Sequence, residues 1–486
     1  MGIDATDRES ARMIRTKIVA TIGPASSTPE TLGAMIDEGV DVVRLNSSHG
    51  TLDDHANVLS TLRRQCEASG AIVAVMGDLC GPKIRLGEFA DGAHVLEPGG
   101  QVVVQRAPCT GSTKRFCLTN ASVVDEIDAG HRILIDDGNI TLHVVDKRSD
   151  ELVCECIVGG RLRTRAGVNL PDTELSIPSL TEKDQGDLEW AADHELDYIA
   201  LSFVRRPEEI HVVRERVQAR GRAIQVVAKI EKPEAIERID AIIDVADAIL
   251  VARGDLGVEM DLARVPLLQK DIVARCGRAG KPVIIATQML QSMVASAVPT
   301  RAEVSDVANA ILDSADAVML SAETAVGQYP LHAVRVINQI AAETEAFLAS
   351  GGVPRPERVI PEAFPVASAI VQAAGRLARD VGAALVAVWT ESAYTARLMA
   401  NLRLGRTVVA LSRDPAVCRE MALLFGVRPL RMEPCEPQDA MLRQLDRALV
   451  DRQLVRPGDL IVVVSGTHLL QADATNALLT HRVAGS

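Results

Sequence analysis

Residues 225–233 read QVVAKIEKP, and residues 248–259 read AILVARGDLGVE. Each begins as an almost unbroken run of Val, Ile, Leu and Ala and ends abruptly on charged residues. An apolar run without alternation suits a strand buried on both faces, the usual condition in a parallel sheet. Working outward, the same kind of run recurs as KIVAT from Lys17, DVVRL from Asp41, AIVAVM from Ala71, DYIALSF from Asp197, PVIIAT from Pro282 and DAVML from Asp316. Most lie roughly 25–35 residues apart, room for one helix and two loops. Helix signals occupy the gaps. Thr300 and Glu303 make a capping box behind Pro299, and VSDVANAILDSA follows with apolar residues at helical spacing. Eight βα units in series predict an α/β fold, the (β/α)8 TIM barrel.

One gap, from Met76 to Asp197, is far too long for a single helix. Within it QVVVQ from Gln101, RILIDDGNITLHVV from Arg132 and ELVCECIV from Glu151 alternate, with turns at Pro98-Gly99 and Ser149-Asp150. They predict a small antiparallel β domain inserted after strand three, hinged as a lid over the barrel mouth. Gly and Pro around Gly351–Pro361 mark a linker, after which ALVAVW from Ala384, TVVALS from Thr407 and LIVVVS from Leu460 alternate with helical stretches. The predicted organisation is a barrel domain at 1–80 and 165–345, a lid at 81–164, and a C-terminal α/β domain at 355–486.

The chain has 486 residues, 47% hydrophobic and 24% charged, which suits a multidomain globular protein. Aromatics are only 2%, so the cores are built from aliphatic residues. A net charge of −13 argues against a nucleic-acid or anionic-membrane partner. Nine cysteines show no CxxC pair and no zinc spacing; Cys154 and Cys156 point the same way along one strand and read as packing. Such thiols suit a reducing cytoplasm. The charged N-terminus (Asp4, Asp7, Arg8, Glu9, Arg12) lacks a signal-peptide core, and no run of 18 apolar residues predicts a membrane span.

In such a barrel, function sits at the C-terminal strand ends. Strand five places Lys229 and Glu231 on one face, either a structural ion pair or a catalytic one. Strand six places Asp255 in a glycine-bracketed turn that precedes a helix, where free amides can meet an anion. Glu231 and Asp255 together make a fitting carboxylate pair for Mg²⁺. Strand two offers Arg44, Asn46 and Ser48 on one face, strand seven ends at Thr287, and strand eight at Ser321–Thr324. Arg suits phosphate, while Asn and Ser suit a cation or a phosphate oxygen.

TKIVATIGPAS, VVRLNSSHG, DLCGPKIRLG, AKIEKPEAI, VARGDLGVE, ATQMLQSM and SAETAVGQYP, in that order, resemble pyruvate kinase from about Arg15 to the end of the chain. The resemblance implies phosphoryl transfer from phosphoenolpyruvate to ADP, the last step of glycolysis, with Mg²⁺ or alternatively Mn²⁺. It also implies a homotetramer. By this resemblance Lys229 is the central cation, Glu231 and Asp255 hold the metal, and Gly254, Asp255 and Thr287 receive the substrate carboxylate. Thr287 further belongs to the network that delivers the proton. Arg44 contacts the phosphoryl group, Arg85 and Lys183 approach it, and Pro24, Asn46 and His49 line the nucleotide pocket. A Mg²⁺-dependent lyase and a non-catalytic sensor are the rival classes; the lyase needs neither lid nor Lys229, and the sensor would have lost the set Lys229, Glu231, Asp255, Thr287.

Many family members hold K⁺ on an Asn, a Ser, an Asp and a Thr, with a nearby Glu. Here Asn46, Ser48 and Asp78 are kept, but Leu79 replaces the Thr and Lys83 the Glu. A lysine ammonium can supply the missing charge, so Lys83 is expected to act as a built-in cation and make K⁺ unnecessary. Val326, Ala322 and Ser47 are further departures, and none removes a group the chemistry needs. TESAYTA from Thr390 matches the family's effector loop at Thr390, Ser392 and Thr395, with Ala393 and Tyr394 departing. A sugar monophosphate, rather than fructose 1,6-bisphosphate, is the expected activator there, with a simple helix N-cap as the alternative reading.

Overall fold

The computed structural model describes residues 14–90, 94–351, 365–435, 437–466 and 475–485. The charged N-terminus, and the expected linker beyond Gly351, lie outside them. Eight parallel strands close into a barrel: Lys17–Thr21, Val42–Asn46, Ala74–Asp78, Tyr198–Leu201, Gln225–Ile230, Ala248–Ala252, Val283–Ala286 and Ala317–Leu320. The eighth pairs with the first, Lys17 opposite Ala317. Along each strand alternate residues face opposite ways. Ile18, Val43 and Val226 pack under the helices, while Val19, Val42, Ala74, Met76 and Val227 fill the barrel interior. The third strand begins at Ala74, not Ala71. The capping box at Thr300 starts helix Arg301–Leu312, with Glu303 Oε2 accepting from Thr300 N at 2.7 Å.

The insertion after strand three is a six-stranded sheet with a separate two-stranded ribbon, packed on its own core of Phe116, Ile133, Leu142, Cys154 and neighbours. RILIDDGNITLHVV is a hairpin, not one segment: strands Arg132–Ile135 and Ile140–Lys147 are joined where Asp136, Asp137 and Gly138 all take positive φ. Asp and Gly tolerate that conformation, the signal that marks the turn.

The C-terminal domain is a five-stranded sheet with its last strand, Thr475–Arg482, antiparallel to Leu460–Gly466. It also closes the floor of the barrel. Ala422 and Leu423, fully or nearly fully buried, join the barrel's interior cluster beside Met76 and Tyr198. Ions fasten this floor: Arg419 Nε to Asp197 Oδ1 at 2.7 Å, Arg403 Nη2 to Asp316 Oδ1 at 2.9 Å, and Arg397 Nη2 to Glu420 Oε1 at 2.8 Å. Tyr198 donates its hydroxyl to the Glu420 carbonyl. No helix of the described residues is long and apolar enough to cross a membrane.

Candidate active site

At the opposite mouth the strand ends converge on Lys229. Its ammonium lies 2.9 Å from Glu231 Oε1 and 3.2 Å from Asp78 Oδ1, and donates to Ser202 Oγ at 2.6 Å. Burial pulls this ammonium down, but Asp78 and Glu231 outweigh it and hold it above the ordinary lysine value. Asp78 answers in kind: burial pushes its carboxyl up, and Lys229 with Arg44 brings it below the usual range. Arg44 reaches Asp78 Oδ2 through Nε at 2.6 Å and Thr21 Oγ1 through Nη1 at 2.8 Å. The buried charges are therefore paired, as low-dielectric surroundings require.

Glu231, 1% exposed, also accepts from Phe203 N at 2.7 Å. Asp255 is pushed up to about 6, by burial first and then by the Glu231 carboxylate; Asp137, at the tip of the lid hairpin, adds to the repulsion while Lys229 and Lys83 oppose it. Glu231 and Asp255 repel each other, and carboxylates so placed could hold a hard divalent cation. The expected turn at Gly254-Asp255 is corrected: both residues lie in the first turn of a short helix, Arg253–Glu259, because the chain coils immediately after strand six. Thr287 has φ 69, a left-handed conformation that costs a non-glycine residue energy. It places Oγ1 where it accepts from Gly254 N at 2.7 Å and donates to Ala286 O at 2.6 Å.

A cleft of about 290 Å³ opens between barrel and lid, lined by Lys83, Arg85, Asp137, Lys232 and Asp255 among others. Lys83 is exposed and reaches Ser48 Oγ at 3.3 Å. Ser48 also bonds Cys80 Sγ at 3.3 Å, and Asn46 Oδ1 accepts from Ser48 N at 3.1 Å. Arg85 donates to Arg165 O at 2.9 Å from the lid side. Lys183 bonds Ser47 O at 2.8 Å and Asp187 at 2.6 Å beside a second cavity of about 360 Å³ that contains His55 and Thr51. Pro24 and His49 stand exposed in strand-end loops.

Family-model matches span this architecture: the barrel domain of pyruvate kinase over residues 13–334, and its alpha/beta domain over residues 368–481. The chain belongs to the pyruvate kinase family. A pyruvate kinase of Mycobacterium tuberculosis is 39% identical over 473 residues, covering 96% of this chain and 98% of that one. The Methylorubrum extorquens pyruvate kinase is 42% identical over 469 residues, 96% of each. A crystal structure of a pyruvate kinase from Cryptosporidium parvum superposes with a TM-score of 0.89 at 31% identity, covering 99% of this chain and 98% of that one. The chain is thus a phosphotransferase of phosphoenolpyruvate and ADP.

For a pyruvate kinase the strand-end inventory missed Ser202. It ends the fourth apolar run, contacts Lys229, and bonds Leu79 O at 2.6 Å. A polar residue closing an apolar strand was the available signal. In the C-terminal domain, Thr390 and Thr395 are buried and Ser392 is exposed. Thr395 Oγ1 is 2.6 Å from Thr475 Oγ1, across to the last strand. None of the three lies in the barrel mouth.

Proposed function

We propose that Lys229 is the group on which the phosphoryl transfer turns. The observation that carries this is its buried ammonium, held by Asp78, Glu231 and Ser202 at the mouth. As the P–O bond of phosphoenolpyruvate breaks, negative charge spreads over the phosphoryl oxygens and the enolate oxygen. A fixed cation in a water-poor site stabilises both. Arg44, fixed by Asp78 and Thr21, contacts the phosphoryl group. The substrate carboxylate rests at Gly254 and Asp255, drawing Gly254 N away from Thr287 Oγ1 and freeing that hydroxyl for the network that protonates the enolate. Glu231 and Asp255 would hold Mg²⁺, or Mn²⁺, which would supply Lewis-acid stabilisation of developing negative charge. Pro24, Asn46, His49, Arg85 and Lys183 serve the nucleotide.

We further propose that activity is independent of K⁺, because Lys83 brings its ammonium to Ser48, and that a sugar phosphate bound at Thr390, Ser392 and Thr395 regulates it. A cytoplasmic homotetramer is carried over with the family. Pyruvate formation measured in K⁺-free and K⁺-containing buffer tests the first claim. Equal rates are expected in the parent, and Lys83→Glu is expected to acquire a K⁺ requirement; a variant as indifferent to K⁺ as the parent removes the internal-cation role. Addition of sugar monophosphates is expected to move the phosphoenolpyruvate saturation curve to lower concentration, and an unmoved curve removes the effector site.

A further inference from the structure

Two thiols meet in the lid, outside the cleft. Cys109 follows strand Gln101–Gln105, and Cys117 ends the parallel strand Arg115–Cys117. Cys117 Sγ accepts from Cys109 N at 3.3 Å and lies 3.5 Å from Cys109 O. A sulfur that touches both backbone polar atoms of the other cysteine lies within one side chain's reach of its partner thiol, and a disulfide joins cysteines that are such near neighbours. Gly87 keeps the space open: a Cβ there would fall 2.5 Å from Cys117 Sγ. Cys154 and Cys156, by contrast, share one face of one strand and point into the lid core.

We propose that Cys109 and Cys117 are a reversible dithiol–disulfide pair, oxidised by a low-molecular-weight disulfide such as oxidised glutathione. Cys109, half-buried, is the entry point, and Cys117, 6% exposed, is the resolving thiol. The Cys109 thiolate attacks one sulfur of the oxidant, breaking its S–S bond and releasing one thiolate. The Cys117 thiolate then attacks Cys109 Sγ, forms the internal bond and expels the second thiolate. The two cysteines lose two electrons and two protons in all, and both end on the two released thiols. The bridge closes the loop at residues 110–116 against the segment that carries Arg85. There Gly87 N donates to Cys117 O at 2.8 Å and Thr119 N to Arg85 O at 2.9 Å.

The test is incubation of the full chain in glutathione buffers of graded poise, alkylation of remaining thiols and digestion with trypsin. Lys114 and Arg115 lie between the two cysteines, so the bridged form yields two cross-linked peptides that separate on reduction. That product is expected from the parent and from neither Cys109→Ser nor Cys117→Ser. Burial, and then the Cys117 thiol, push Cys109 up, so the rate of bridging is expected to rise about tenfold per pH unit between 7 and 8. Glutathione left on Cys109 beside a free Cys117, a link from Cys109 to another cysteine, or both thiols alkylated at every poise overturns the proposal. A pH-independent rate overturns the role of Cys109 as attacker.

Discussion

Strands three and four of the barrel run between two ends that use charge in opposite ways. At the upper end, Asp78 and Ser202 hold Lys229 beside Glu231, next to the cleft that Asp255 lines. At the lower end, Asp197 takes Val75 N at 2.8 Å and Arg419 at 2.7 Å, and Leu423 seals the interior. Both ends bury ions. The upper set leaves Glu231 and Asp255 repelling each other, a tension that a bound cation would relieve. In the lower set Asp197 and Asp316 each meet an arginine of the C-terminal domain, away from the cleft. Buried charge alone therefore does not mark an active site; buried charge left out of balance beside a cleft does.

The contrast is broken most sharply at Lys229. Lys229→Met is expected to lower kcat by about 10³-fold while the chain stays folded, because the stabilising cation acts in the transition state; steady-state kinetics with a circular-dichroism melt reads both. Leu423→Ala should do the reverse. Deleting the floor side chain costs about 3 kcal/mol of stability, read by denaturant unfolding, with kcat of the folded enzyme within about twofold of the parent.

Glu420 sharpens the comparison through pH. Burial pushes its carboxyl up to about 7 from an ordinary 4.5; Arg397 opposes that, and Asp247 and Asp197 add to it. The folded chain thus binds a proton there that the unfolded chain releases, so the stability this group contributes is complete below about 4.5 and is lost as pH rises through about 7. Glu420→Gln, neutral at every pH, is expected to match the parent's melting temperature at pH 5 and exceed it by roughly 2 °C at pH 8. The smallest effect belongs to neither mouth: Thr300→Ala removes a helix cap worth about 1 kcal/mol, lowering the melting temperature without altering kcat or KM.

What could be read in advance divides along the same line. The upper mouth is written locally: Lys229 and Glu231 are two residues apart on strand five, and Asp255 follows strand six directly. Apolar runs with polar ends expose that arrangement. The floor is written across the chain. Arg419 meets Asp197 and Glu420 meets Tyr198 over 222 positions, and no spacing rule links residues so far apart. The Asp136-Asp137-Gly138 turn carries its Asp-Gly signal in plain view, yet the alternation of its two flanking strands passes for one. Ser202 lies within the run DYIALSF and looks like an ordinary strand end until Lys229 is placed against it.

The floor also sets an order of events on the ribosome. The last barrel strand ends at Leu320, yet the residue that stops the barrel's lower opening is Leu423. Since synthesis proceeds from the N-terminus, all eight strands emerge before their seal does. During that interval Met76 and Tyr198 face an open end. The first two-thirds of this polypeptide is therefore a vulnerable nascent species, and release from that state waits on the arrival of the third domain.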